Sequence, residues 1–136
     1  FIFDYFLVPN SLMKTNIKGL PRLKNAWGYS INGFKKAWQH EEAFRIESVV
    51  CFILLPLSFV VGQNLIDYII LIGSLALLLI TELFNSAIET LTDRVSVEEN
   101  ELSGRTKDIA SSTVFIAVFF LIFVWVALIY KRLFIN

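Results

Sequence analysis

The chain has 136 residues, of which 56% are hydrophobic, and 12 basic and 12 acidic side chains leave it formally neutral. A mean hydropathy of +0.65 excludes an ordinary small soluble domain. Without a net positive charge, a Cys/His cluster or a basic patch on a soluble fold, nothing points to nucleic acid, and a lone cysteine, Cys51, permits no disulfide framework within the chain.

The opening segment, FIFDYFLVPNSL, lacks the basic start, the sustained apolar core and the small-residue cleavage site of a signal peptide. Met13 then precedes a basic stretch, so within an N-terminal extension over 1–21 residues 1–12 read as a start-site addition or a short interfacial segment with no part in catalysis. Residues 22–136 read as the functional membrane domain. Pro21 suits the first turn of a helix over about 22–39. Leu23, Trp27, Ile31, Phe34 and Trp38 fall on one face of that helix, opposite Lys24, Asn25, Asn32, Lys35 and Lys36. An apolar stripe with tryptophans and an opposing basic face suits a helix lying in a lipid interface. Gly28 and Gly33 are expected to mark a break or a close helix contact.

Three apolar runs follow, and a helix needs roughly 20 apolar residues to cross the hydrocarbon layer. The spans are predicted at about 43–62, 65–91 and 109–130, the first kinked at Pro56 and the first two joined by a tight turn around Gln63–Tyr68. The helix of the second span is expected to continue to Asp93. The second connection, Ser96 to Asp108, reads as a polar loop in which Ser103 caps the third span. Lys14, Lys18, Arg22, Lys24, Lys35, Lys36 and Arg45 precede the first span, and Arg94, Arg105 and Lys107 lie between the second and third. Only Lys131 and Arg132 follow the third, which places the N-terminus in the cytoplasm and the C-terminus in the periplasm. The predicted fold class is therefore all-α integral membrane, with three transmembrane helices and an N-terminal interfacial amphipathic helix.

The chemistry is concentrated in TELFNSAIETLTD, Thr81 to Asp93. Glu82, Asn85, Glu89 and Asp93 recur at three, four and four residues and share one helix face. Simple emergence of the helix into the cytoplasm explains Asp93. It does not explain Glu82, which directly follows an apolar run, and an ionisable group at membrane depth marks a functional path. Glu41 approaches from the start of the first span. It and Glu42 suit either a magnesium site or a helix-end salt bridge with Arg45, and the spacing does not decide between them. Glu101 to Asp108, with Ser111 beyond, brings Arg105 and Lys107 to the start of the third span, where an anion is favoured. No Walker A spacing is present. Phosphoryl transfer at the membrane surface accommodates all of these features. A proton- or ion-coupled transporter or a small scaffold would use the glutamates but leave the Ser103–Ser111 cluster unexplained.

These residues resemble the small prokaryotic integral-membrane diacylglycerol kinase family. AWQHEEAFRIE (Ala37 to Glu47), ELFNSAIETLTD (Glu82 to Asp93) and ELSGRTKDIAS (Glu101 to Ser111) carry the resemblance, in order, over about four fifths of the chain. The resemblance implies a homotrimer with composite sites between neighbouring subunits at the inner (cytoplasmic) membrane. It also implies transfer of the ATP γ-phosphate to diacylglycerol with Mg2+. Carried onto this chain, Glu82 becomes the general base and Asn85 orients the reacting groups. Glu41 and Glu89 become metal ligands, with Lys107 and Asp108 beside the nucleotide. Arg22 and Tyr29 match nucleotide-side positions, and Arg45, Glu47, Asp93 and Ser111 match substrate or supporting positions. Family members often carry His where this chain has Asn100, which bears on nucleotide preference rather than on reaction class. Related small kinases phosphorylate isoprenoid alcohols such as undecaprenol, and apolar patterning alone does not separate the two lipids.

Overall fold

The computed structural model describes residues 20–95 and 100–135. The segment 1–12, Lys14 and Lys18 lie outside the described residues, as do Ser96 to Glu99 of the second connection. Four helices follow in order: α1 Leu20–His40, α2 Glu42–Val61, α3 Leu65–Val95 and α4 Glu101–Phe134. The last three are long and apolar enough to cross a membrane, and the described residues contain no strand.

The chain divides into two compact units, with the boundary inside α1 after Phe34. In the first unit the helix runs through Gly28 and Gly33 without interruption, and a Cβ at either would meet nothing within 4 Å. Neither glycine therefore marks a break, contrary to one expectation, and among the described residues of this chain neither is in close contact. Leu23, Trp27 and Ile31 stand exposed along one face.

In the second unit α1 ends at His40, and Arg45 explains how that end is held. Its Nη1 donates to the carbonyls of Trp38 at 3.1 Å and Gln39 at 3.4 Å, two of the groups a helix C-terminus leaves open. Arg45 is thus bound to α1 and makes no ion pair with Glu41 or Glu42 among the described residues. The salt-bridge reading of those acids falls. Helix α2 passes Pro56 unbroken and stops at Gly62. There the turn is so tight that a Cβ would lie 2.6 Å from the Tyr68 ring and 3.0 Å from the Ser58 carbonyl.

Asn64 opens α3 with a reciprocal cap: its Oδ1 accepts from Asp67 N at 3.0 Å, while Asp67 Oδ2 accepts from Gln63 N at 3.1 Å. Lys131, near the far end of α4, donates to both oxygens of Asp67 at 3.0 Å. At the opposite end Lys107 of α4 pairs with Asp93 of α3. Two ion pairs at opposite ends make α3 and α4 antiparallel neighbours. Between them Leu71, Leu75 and Leu78 pack with Ala117, Leu121, Val124 and Trp125, and Cys51 of α2 joins the cluster. Small side chains such as Cys51, Ser74 and Ala117 allow the close approach that holds helices together in lipid. Cys51 is buried against the Leu75 carbonyl, a packing role as expected.

Helix α4 begins earlier than the sequence reading had it. Asn100 is its N-cap, its side chain accepting from Leu102 N at 2.8 Å, and Ser103 lies inside the first turn. The charged stretch Glu101–Asp108 is helix, not loop. Asn stabilises a helix start by accepting an N–H that has no intrahelical partner, and a run of charges does not prevent it.

Candidate active site

The buried face of α3 is one continuous stripe: Asp67, Leu71, Ser74, Leu75, Leu78, Glu82 and Ser86. Its chemistry changes along the way. At 1.5 Å per residue Glu82 stands about 22 Å beyond Asp67, Glu89 about 33 Å and Asp93 about 39 Å. A hydrocarbon layer is roughly 30 Å thick, so Glu82 falls within one layer's depth of Asp67 along the helix and Asp93 does not. Glu82 is 3% exposed, so it faces protein rather than lipid.

Other acids gather there from different parts of the chain. Glu47 of α2 lies within electrostatic reach of Glu82. Glu89, two turns along α3, and Glu41, at the junction of α1 and α2, reach it as well. Asn85 Nδ2 donates to Glu89 Oε1 at 3.1 Å, fixing both side chains. Three polar atoms around this acid remain buried without a hydrogen-bond partner: Glu47 Oε2, Asn85 Oδ1 and Ser86 Oγ. Buried polar atoms are normally paired, and a cluster of unpaired ones points to a group that arrives.

Lys107 is held by Asp93 and also lies within electrostatic reach of Glu89, which brings a cation to the rim of the acidic cluster. It sits nearly two turns inside α4, which starts at Glu101, and not at the helix start where the sequence reading had put it. Asp108 and Ser111, on the same helix, are exposed, and Asp93 itself is exposed at the rim. Arg45 is committed to the end of α1. Arg22 and Tyr29 lie in the first compact unit, where both are exposed.

The donors suit a divalent cation in part. Among the described residues no group of three or more His, Cys, Asp or Glu side chains forms a ready-made metal site. Glu41, although it precedes α2, does not use its side chain to cap the helix, and Glu89 commits one oxygen to Asn85. Two carboxylates with free oxygens fit magnesium, which draws its remaining ligands from water and substrate phosphates.

Ser86 was not singled out by the sequence reading. Its signal was the four-residue step from Glu82 on the stripe that contains Leu78, and at 7% exposure it is one of the innermost polar groups of α3.

The family model described as prokaryotic diacylglycerol kinase matches residues 28–129, a stretch that begins after Arg22. A protein of Haemophilus influenzae named diacylglycerol kinase is 46% identical over 107 residues, covering 79% of this chain and 91% of its own length. One of Escherichia coli K12 with the same name is 38% identical over 120 residues, 88% of this chain and 98% of the relative. A third, from Pseudomonas aeruginosa, is 38% identical over 111 residues, 82% and 90%.

Proposed function

The chain belongs to the prokaryotic diacylglycerol kinase family, and from that membership we propose how this membrane lipid kinase divides its reaction among its own residues. The lipid is diacylglycerol and the phosphoryl donor is ATP. The primary hydroxyl oxygen of the lipid bonds to the γ-phosphorus as the bond from that phosphorus to the β–γ bridging oxygen breaks. ADP leaves and phosphatidic acid remains. The hydroxyl proton passes to Glu82, the buried acid at the inner end of the α3 stripe. In a loose phosphoryl-transfer transition state that proton leaves late, so Glu82 need not be a strong base.

The carrying observation is the gathering of Glu41, Glu47 and Glu89 around Glu82. Glu41 and Glu89 would hold magnesium, which when bound offsets charge on the phosphate oxygens. Asn85 keeps Glu89 in place through its Nδ2 and presents its open Oδ1 to the reacting groups. Lys107 exchanges Asp93 for nucleotide phosphate, and Asp108 lies beside it on the nucleotide side. Arg22 and Tyr29 belong to nucleotide binding in this reading. Glu47, Arg45, Asp93 and Ser111 support the site.

The protein works as a homotrimer in the cytoplasmic membrane, its neighbour closing the side of the acidic cluster that one chain leaves half-exposed. The exposed stripe of α1 lies in the cytoplasmic interface. With Asp67 neutralising Lys131, only Arg132 opposes a periplasmic C-terminus.

The test compares diacylglycerol with undecaprenol as acceptors for purified protein in lipid vesicles with ATP and magnesium. Diacylglycerol is expected to turn over faster, and Glu82→Gln to lower kcat at least ~100-fold while ATP binding and the folded trimer persist. A Glu82→Gln protein with near-normal turnover removes the base assignment. Preferential phosphorylation of undecaprenol overturns the lipid assignment.

A further inference from the structure

Ser86 is the polar group of the cluster that the mechanism so far leaves idle. Hydroxyls inside helices ordinarily donate to the carbonyl three or four residues back. In this chain Ser58, Ser74, Thr81, Thr90 and Thr92 all do so, at 2.6 to 3.0 Å. Ser86 does not, and its Oγ is buried with no hydrogen-bond partner. Its own carbonyl, by contrast, accepts from Thr90. Ser86 stands one turn beyond Glu82 on the same buried stripe, with the Glu82 carboxylate beside it. Both side chains are more than nine-tenths buried, at 7% and 3% exposure. Among the described residues the other hydroxyl of that stripe is Ser74, two turns before Glu82 and already donating to the Leu71 carbonyl.

We infer that Ser86 is a positioning residue of the transfer reaction, its hydroxyl donating to one oxygen of Glu82 so that the other faces the lipid hydroxyl. A glutamate has three rotatable side-chain bonds, and only some of its rotamers direct an oxygen towards a substrate. Asn85 holds Glu89 in just this manner from the adjoining position. Among the described residues Glu82 has no comparable side-chain clamp except Ser86. The bond uses a donor that otherwise stays unpaired. Such a bond leaves the site's affinity for lipid untouched and acts on the fraction of bound complexes with the base in place, so its effect belongs to kcat rather than KM.

This inference rests on the assignment of Glu82 as base. The experiment measures kcat and lipid KM, with thermal stability alongside, for Ser86→Ala, Ser86→Thr and Ser86→Cys, with Glu82→Gln as reference. A hydrogen bond to an ionised group leads us to expect kcat about tenfold lower or more in Ser86→Ala, with lipid KM and stability close to the parent. Ser86→Thr keeps the donor and should regain most of the loss. Ser86→Cys has nearly the shape of the parent but a weak donor, and should resemble Ser86→Ala. If Ser86→Ala keeps kcat within twofold, or if Ser86→Cys turns over normally, the positioning role is overturned while Glu82 is unaffected. A loss of activity that follows loss of folded protein in all three variants also overturns it, leaving a packing role. Normal turnover in Glu82→Gln instead defeats the base assignment itself, which keeps the two failures distinct.

Discussion

At the scale of single residues, the site depends on carboxylates that no structural contact has consumed. Glu41 precedes α2 without capping it through its side chain, and Glu89 keeps one oxygen clear of Asn85. Both acids repel Glu82, a cost that a cation or a proton relieves. Glu41→Gln and Glu89→Gln should each weaken binding of Mn2+, used as a paramagnetic substitute for magnesium. The double variant should lose less than the two single losses combined, since both act on one ion. Titration followed by electron paramagnetic resonance measures this without turnover. Independent effects with unchanged affinity would remove the metal assignment of both residues. Gly62 shows the opposite kind of constraint. Gly62→Ala forces a methyl against the Tyr68 ring and the Ser58 carbonyl, and should destabilise the fold by about 1–3 kcal/mol in denaturant titrations. Neither group lies in the acidic cluster, so the folded fraction of that variant should keep normal lipid KM.

At the scale of elements, α3 and α4 are fastened at both ends, and the two fastenings differ. Lys107 and Asp93 are both partly exposed, and such pairs contribute little. Asp67 is almost fully buried, and it serves at once as Lys131's partner and as the reciprocal cap of α3. Removing Lys131 leaves the Asp67 carboxylate without its cation, held only by Gln63 N and Asn64 Nδ2, which is costly for a group so little exposed. Lys131→Met should therefore destabilise the protein more than Asp67→Asn, which keeps a polar group able to bond Gln63 and Asn64. A double-mutant cycle should give a favourable coupling, reduced by the partly exposed lysine. Zero coupling would reduce the pair to a passing contact. The same two elements show what could be read in advance. The switch on α3 from leucines to Glu82 was visible because an acid after an apolar run breaks a pattern. Ser86 was not, because serine disturbs neither a polar nor an apolar stripe. The Asp67–Lys131 pair joins residues 64 apart, and no local period reveals it. The start of α4 was misplaced because charges at Glu101–Asp108 look like a loop, whereas Asn100 needed only to be recognised as a cap. Arg45 misled similarly: nearby acids suggested a salt bridge, but the open carbonyls of α1 are closer partners.

At the scale of the whole molecule, three long helices have little interior to share, and most of their apolar side chains face outward. Lipid covers such surfaces readily, but it cannot satisfy a half-exposed carboxylate, and that is why a neighbouring protomer is the better cover for the open side of the cluster. Even so, Glu41, Glu47, Glu82 and Glu89 are brought within reach of one another by a single chain. The two statements together make a definite forecast for mixed assemblies. If each site draws its acids from one protomer, combining Glu82→Gln chains with Glu89→Gln chains leaves every site with one lesion. Activity then stays at the level of the separate variants however the subunits are mixed. Doping parent protein with Glu82→Gln should lower activity in proportion to the mutant fraction. If instead the two glutamates met across a subunit boundary, random mixing in a closed ring would pair intact partners at about a quarter of the boundaries, and activity would reappear. Subunit exchange has to be verified first, with differently labelled chains co-purified from the mixture. Recovery of turnover in verified mixed trimers would show that the acids meet between chains, and would overturn the single-chain cluster. Silence in those trimers, with linear loss on doping, would assign Glu82 and Glu89 to one protomer and leave the neighbour the task of closing the site.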